Sequence, residues 1–314
     1  MTELTESLST GNLFSVAPVA VLLAIPASVF WPYFAGLAIL AVGLIHVVRN
    51  QLAPAQGVDK FVRFGPIFYA LPLAVFGAEH LTVPRQIAAL VPNWIPWHMF
   101  WTYFVGIGLL AAALSIAARR VSGLAATLLG VMFFSFVLLM DFPGVVASPH
   151  DRFAQALMLR ELSFSAGAFA LASTLMRAKW SWLRPLPTAA RFVVGVTMIF
   201  YGIKHFLHPQ NVPVVPLELV MPASIPFHHF WAYSVGAALL AAGLCMIVNY
   251  NARLAATCMG IVAFIAILFV YLPILAAHPS DIGVGMNYFA DTLMMDGTFL
   301  LVADSLPKPG SSLA

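Results

Sequence analysis

Apolar runs of about 18 or more residues follow one another along this chain, separated by short polar turns. Each is long enough to cross a ~30 Å hydrocarbon core as a helix. Membrane strands would show dyad alternation, whereas these runs are apolar on every face. The first run, 16–49, is too long for one straight span. It contains Pro26 and Pro32, which predict a kinked or broken helix, or a short hairpin. Four spans follow near 64–82, 97–118, 121–141 and 153–175, and four more near 189–208, 228–248, 252–273 and 285–304. The pattern predicts an all-α, polytopic integral membrane protein with about nine transmembrane helices.

The last eight spans form two copies of one unit. Ile95-Pro96-Trp97-His98 returns as Ile225-Pro226-Phe227-His228, Gly106 as Gly236, Leu124-Ala125-Ala126-Thr127 as Leu254-Ala255-Ala256-Thr257, Pro143 as Pro273 and Glu161 as Asp291, each offset by 130 positions. Four spans per unit is an even number, so the copies share one orientation, as parallel repeats about an axis along the membrane normal. The expected division is an external tail (1–15), an N-terminal membrane segment (16–50), two four-helix units (64–177 and 188–305) and a cytoplasmic tail (306–314). An interrupted helix pair at matching positions of the two units, the usual mark of a transporter, is not expected.

Composition agrees with the pattern: 61% hydrophobic, 9% charged, mean hydropathy +0.93. With nine spans, 11 of the 15 Lys and Arg fall in one set of loops, among them Arg49, Arg63, Arg119, Arg120, Lys179 and Arg253. This places those loops and the C-terminus in the cytoplasm, the N-terminus outside, and the chain in a cell inner membrane. The pI of about 9.0 then reflects topology, and the expected partner is the lipid bilayer, not nucleic acid. Cys245 and Cys258 lack a C-x-x-C spacing and read as packing thiols.

Unusual polar chemistry concentrates in the outer half. Gly77-Ala78-Glu79-His80 and Gly202-Ile203-Lys204-His205 end the first helix of each unit, with His98 and His228 at the start of the next. Trp101 and Trp231 suit an interfacial aromatic belt as well as a binding slot. Glu79 and Lys204 are equivalent positions of opposite charge, able to pair if they lie near the axis. Gln86–Trp94 and Leu217–Met221 read as short interfacial helices or re-entrant turns. Glu161, Asp291 and Asp296 lie inside helices, where an acid costs ~2.5–3.5 kcal/mol and needs a partner or a wet cavity. Arg160 precedes Glu161, but helix neighbours point about 100° apart, so the two are not expected to line one pocket. No P-loop, dinucleotide fingerprint, H-E-x-x-H or Ser-His-Asp arrangement is present, and no metal site is expected. Bis-histidine haem b is a minor alternative, since His80 with His205, or His98 with His228, are related by the repeat.

The Gly-x-x-His turns, the Ile-Pro-x-His openings followed by Gly-x-x-Leu-Leu (Gly106 to Leu110, Gly236 to Leu240) and the basic turns before Leu-Ala-Ala together resemble the DoxX/DoxD-like family of small four-helix membrane proteins. The resemblance covers about 66–175 and 190–304, a fused tandem. In place of the acid that the family often carries before the glycine-rich stretch, this chain has Tyr103 and Tyr233. The resemblance implies membrane redox work, with a membrane or peripheral redox protein as partner. An apolar, aromatic slot with histidines and acids also suits a quinone head group. In that reading His80, His98, His205, His228, Trp101 and Trp231 bind it, and Glu161, Asp291 and Asp296 relay protons as the catalytic groups. A non-catalytic scaffold anchoring a partner complex, and a small-molecule or lipid transporter, stand beside it.

Overall fold

The structure is a computed structural model that describes residues 25–215 and 219–308. Expectations for 1–15, 16–24, 216–218 and 309–314 lie outside those residues. The described chain is helical apart from one isolated antiparallel bridge, Asn211 to Val220. Helix α1 spans Ala27–Asn50. The first unit comprises α2 (Gly65–Thr82), α3 (His98–Ala117), α4 (Ser122–Ala147) and α5 (Arg152–Met176). The second comprises α6 (Leu186–Leu207), α7 (His228–Ile247), α8 (Ala252–Ala277) and α9 (Tyr288–Ser305). Among the described residues, seven helices are long and apolar enough to cross a membrane: α1 to α4 and α6 to α8. The other two, α5 and α9, carry Arg160, Glu161, Asp291 and Asp296, and helices of both units pack on them. The polytopic helical class is as predicted.

Within the described residues α1 is one continuous helix, neither broken nor a hairpin. It starts directly after Pro26 and runs through Pro32. Pro32 is buried and α1 lies along α2, with Gly36 and Gly43 set against Val75 and Ile67. Packing of this kind offsets the lost backbone donor.

In each unit consecutive helices pack on one another. Between units the first helix of one packs on the fourth of the other (α2 on α9, α6 on α5), and α5 packs on α9 at the centre. This reciprocity is what a parallel repeat requires. The copies also share irregular features. Trp97 and Phe227 open α3 and α7 in the left-handed region, at φ 59° and 61°. Asp151 and Asp281 accept backbone N–H groups at the starts of the two fourth-helix segments.

One irregularity corrects an expectation. Both α4 and α8 contain a single π-helical turn, Val137–Asp141 and Ile267–Tyr271, at matching positions. Pro143 and Pro273 follow by two residues. Proline has no N–H to donate back and its ring crowds the carbonyl four residues earlier, so a widened turn relieves the clash. A matched pair of interrupted helices is therefore present.

The basic loops gather at one end. Arg63 pairs with Asp304 at 3.3 Å, while Arg253 and Lys308 both reach Asp59, at 2.8 and 2.7 Å. At the other end the loop after α6 folds back as a small hairpin, with Val212 donating to Leu219 O and Met221 to Gln210 O. This replaces the expected short helix or re-entrant turn over the described part of Leu217–Met221. A short helix, Pro84–Ala88, begins the corresponding loop of the first unit.

Candidate functional site

The central polar cluster is built on the two fourth helices. Arg160 on α5 donates through Nη1 to Asp291 Oδ2 on α9 at 2.5 Å, and through Nη2 to Glu161 Oε1 at 3.0 Å. Glu161 and Asp291 are equivalent residues of the repeat, so one guanidinium joins an acid from each unit. All three side chains are largely buried. The expectation that Arg160 and Glu161 would not share a site fails because the long arginine side chain curls over the helix surface. Its guanidinium lies above the Phe164 ring, 5.8 Å from the centroid.

Two further acids face this pair. Asp141 closes the π-turn of α4, within electrostatic reach of Arg160 and Glu161. Glu79 on α2 lies within hydrogen-bonding reach of Asn287 and electrostatic reach of Asp291. In the second unit the π-turn ends in Tyr271, whose hydroxyl donates to Pro213 O of the inward-packed loop. Tyr69 and Tyr201, on the first helices of the two units, both donate to carbonyls of α5, Phe164 O at 2.7 Å and Ala156 O at 2.8 Å. They fix the helix that carries Arg160.

Several atoms of the cluster are buried without a hydrogen-bond partner: Glu79 Oε1, Asp141 Oδ2, Arg160 Nε, Glu161 Oε2 and Asn287 Oδ1. Each such group costs roughly 1–3 kcal/mol if nothing satisfies it. A purely structural ion pair has no need of so many, and the arrangement suits water, protons or a polar ligand.

Of the predicted site residues, the structure brings Glu161 and Asp291 together and leaves Asp296 apart. Asp296 is fully buried on another face of α9, with neither oxygen hydrogen-bonded, against the Gly260 position of α8. The histidines are tied to their own units. His80 bonds Phe76 O through Nδ1 at 2.7 Å, and its Cβ packs over Gly106. His205 accepts from Val214 N–H at 2.8 Å and packs over Gly236. His228 bonds Pro222 O at 3.1 Å. His98 opens α3, and its carbonyl accepts from Thr102 Oγ1 at 3.0 Å. Trp101 is exposed among Phe100 and Phe104, and Trp231 stacks on Phe269. Glu79 and Lys204 do not pair: the Lys204 ammonium lies over the Phe200 ring at 4.9 Å while Glu79 faces α9. Sequence reasoning missed Asp141 and the partnership of Arg160 with Asp291. The matched prolines were the available signal for Asp141.

Two family models match separate parts of the chain. Residues 69–175 match a family described as a domain of unknown function (DUF8561), and residues 186–272 match the DoxX family. No curated protein and no solved structure matches the chain. The second match covers the segment whose Gly-x-x-His turn and Ile-Pro-x-His opening carry the resemblance. The chain is thus an integral membrane protein of apolar helices that carries a DoxX domain at residues 186–272.

Proposed function

We propose that this protein is an integral membrane component of a redox system, in which the Arg160 cluster exchanges protons with a quinone. One observation carries the reading: the Arg160 guanidinium joins Glu161 and Asp291 at the junction of the two units, Asp141 lies in its field and Glu79 in that of Asp291, and several polar atoms are unpartnered. One guanidinium leaves most of this carboxyl excess without a counter-charge in a low-dielectric interior. The donor set fits a quinone head group. Arg160 Nε–H is available to a carbonyl, and Glu79 and Glu161 each keep an oxygen free to pass a proton. When bound, the quinone supplies two-electron, two-proton chemistry. Electrons come from a partner redox protein. The basic end faces the cytoplasm of an inner membrane, and the histidines with Trp101 and Trp231 line the approach from the opposite face.

The test is to purify the full chain in mild detergent and quantify extracted quinone, for wild type, Arg160→Gln and a variant with His80, His98, His205 and His228 all changed to Gln. Quinone retained by the histidine variant and lost from Arg160→Gln supports the cluster as the site. Loss only in the histidine variant moves the head group to the outer helix ends. Folded wild type without quinone sinks the quinone assignment.

A second reading, proton-coupled transport, is favoured by the matched π-turns of α4 and α8, because interrupted helices at corresponding positions of two repeats mark transport sites. Proton flux into liposomes that vanishes with Asp291→Asn would support it.

A further inference from the structure

The basic end of the first unit carries a cavity that the central cluster does not use. It has a volume of about 560 Å³ and lies between α1, the turn from α3 to α4, and the end of α5. Its polar wall consists of His46, Arg119, Ser122 and Lys179, and no carboxylate lines it. Leu175 and Trp180 belong to the remainder, which is largely apolar. The nearest acid in Arg119's field, Asp304, is held by Arg63 at 3.3 Å.

Arg119 is poised and under-used. Its Nη2 donates to Gln51 Oε1 at 3.3 Å, while its Nη1 is buried without a partner. Helix α4 opens at Ser122 into the same space, and no side chain caps its first turn. Unsatisfied N–H groups at a helix start, beside cations in a cavity, suit an anion.

The copied turn of the second unit acts as an internal control. Arg119 and Val121 take φ of 55° and 50°, and their equivalents Asn249 and Asn251 take 58° and 46°. Asparagine tolerates this left-handed region, whereas a β-branched valine and a long arginine are strained there. The first unit retains the strained pair and gains a cation. The second unit's turn has none, and the cations beside it are consumed, Arg191 by Met246 O and Ile247 O and Arg253 by Ala303 O, Leu306 O and Asp59. Helix α1, and with it His46, packs mainly on α2 and α3 of the first unit.

We propose that this cavity binds a phosphate group, either the head group of an anionic phospholipid in the adjoining leaflet or a free phosphate ester. Arg119 and Lys179 meet the charge, the α4 N–H groups meet the oxygens, and the apolar wall with Trp180 accommodates a glycerol or acyl stem.

The experiment compares thermal unfolding midpoints of the detergent-purified full chain, for wild type and Arg119→Asn/Lys179→Gln, with added phosphatidylglycerol, phosphatidylcholine or inorganic phosphate alone. The expected result is a rise of several degrees with phosphatidylglycerol in wild type, larger than with phosphatidylcholine and abolished in the variant. The same variant-sensitive rise with inorganic phosphate alone assigns the site to free phosphate esters. No rise in wild type, or an equal rise in the variant, overturns the proposal. Arg119→Asn reproduces the second unit's residue and relieves the backbone, so the variant is expected to fold. If it does not, the exposed Lys179→Gln change alone decides the matter: a reduced rise supports the site and an unchanged rise overturns it.

Discussion

In the first unit the π-turn ends in Asp141, and the fourth helix carries Arg160 beside Glu161. In the second unit the same positions hold Tyr271, Ala290 and Asp291. Deeper in the fourth helices the order reverses, with Ala166 in the first and a fully buried Asp296 in the second. The copies keep the devices that set geometry: the aspartate caps, the π-turns, and the histidine packed over a glycine of the next helix. They divide the charge between them. Neither unit alone holds a balanced site, because the arginine that Asp291 needs comes from the other copy, 131 positions away. Duplication supplied the scaffold, and divergence at a few buried positions made the two halves dependent on each other.

The sharpest way to break this comparison is to make the units alike. Arg160→Ala copies Ala290 and leaves two buried acids without their counter-charge. A loss of about 3–5 kcal/mol is expected from denaturant unfolding in detergent, partly recovered by adding Asp291→Asn. A loss well under about 1 kcal/mol would remove the pair as the link between units.

The equivalent glycines Gly167 and Gly297 give the next contrast. A Cβ at Gly297 would stand 2.5 Å from the Tyr69 backbone nitrogen, where the α2 main chain blocks it. At Gly167 it would meet the Thr298 side chain, hydroxyl at 2.9 Å and methyl at 3.1 Å, and no main chain. Gly297→Ala is expected to cost about 1–3 kcal/mol and Gly167→Ala clearly less, both read from unfolding midpoints. Equal effects would mean that the α2–α9 crossing is no tighter than the α5–α9 crossing.

Smaller changes sharpen the picture further. Val121→Asn copies Asn251 into the same left-handed turn and should stabilise the chain by up to about 1 kcal/mol, with Asn251→Val doing the reverse. Tyr69→Phe and Tyr201→Phe each remove one interhelical hydrogen bond to α5, and each should cost about 0.6 kcal/mol. If only one of the two matters, the first helices do not hold α5 symmetrically.

Much of the bundle is legible from residues alone. Pro96 and Pro226 mark helix starts, Gly77 with Gly106 and Gly202 with Gly236 mark close crossings, and Glu161 and Asp291 stand out as acids in apolar helices. Asp141 does not stand out, because at the end of an apolar run it looks like an ordinary boundary charge. Only the widened turn before Pro143 aims it at α5. The place of Arg160 is hidden for a similar reason: backbone angles fix where a side chain starts, but its length decides where the charge arrives.

By itself, then, the sequence determined a membrane bundle of two parallel units. Hydrophobic length is a local property, and repeats survive as a fixed offset along the chain. Tertiary structure alone decided which acids share Arg160, that Asp296 stands apart, and that the histidines bond to their own helices and loops. Those outcomes depend on which helix faces packing brings together, and in a chain apolar on every face no periodicity records that choice.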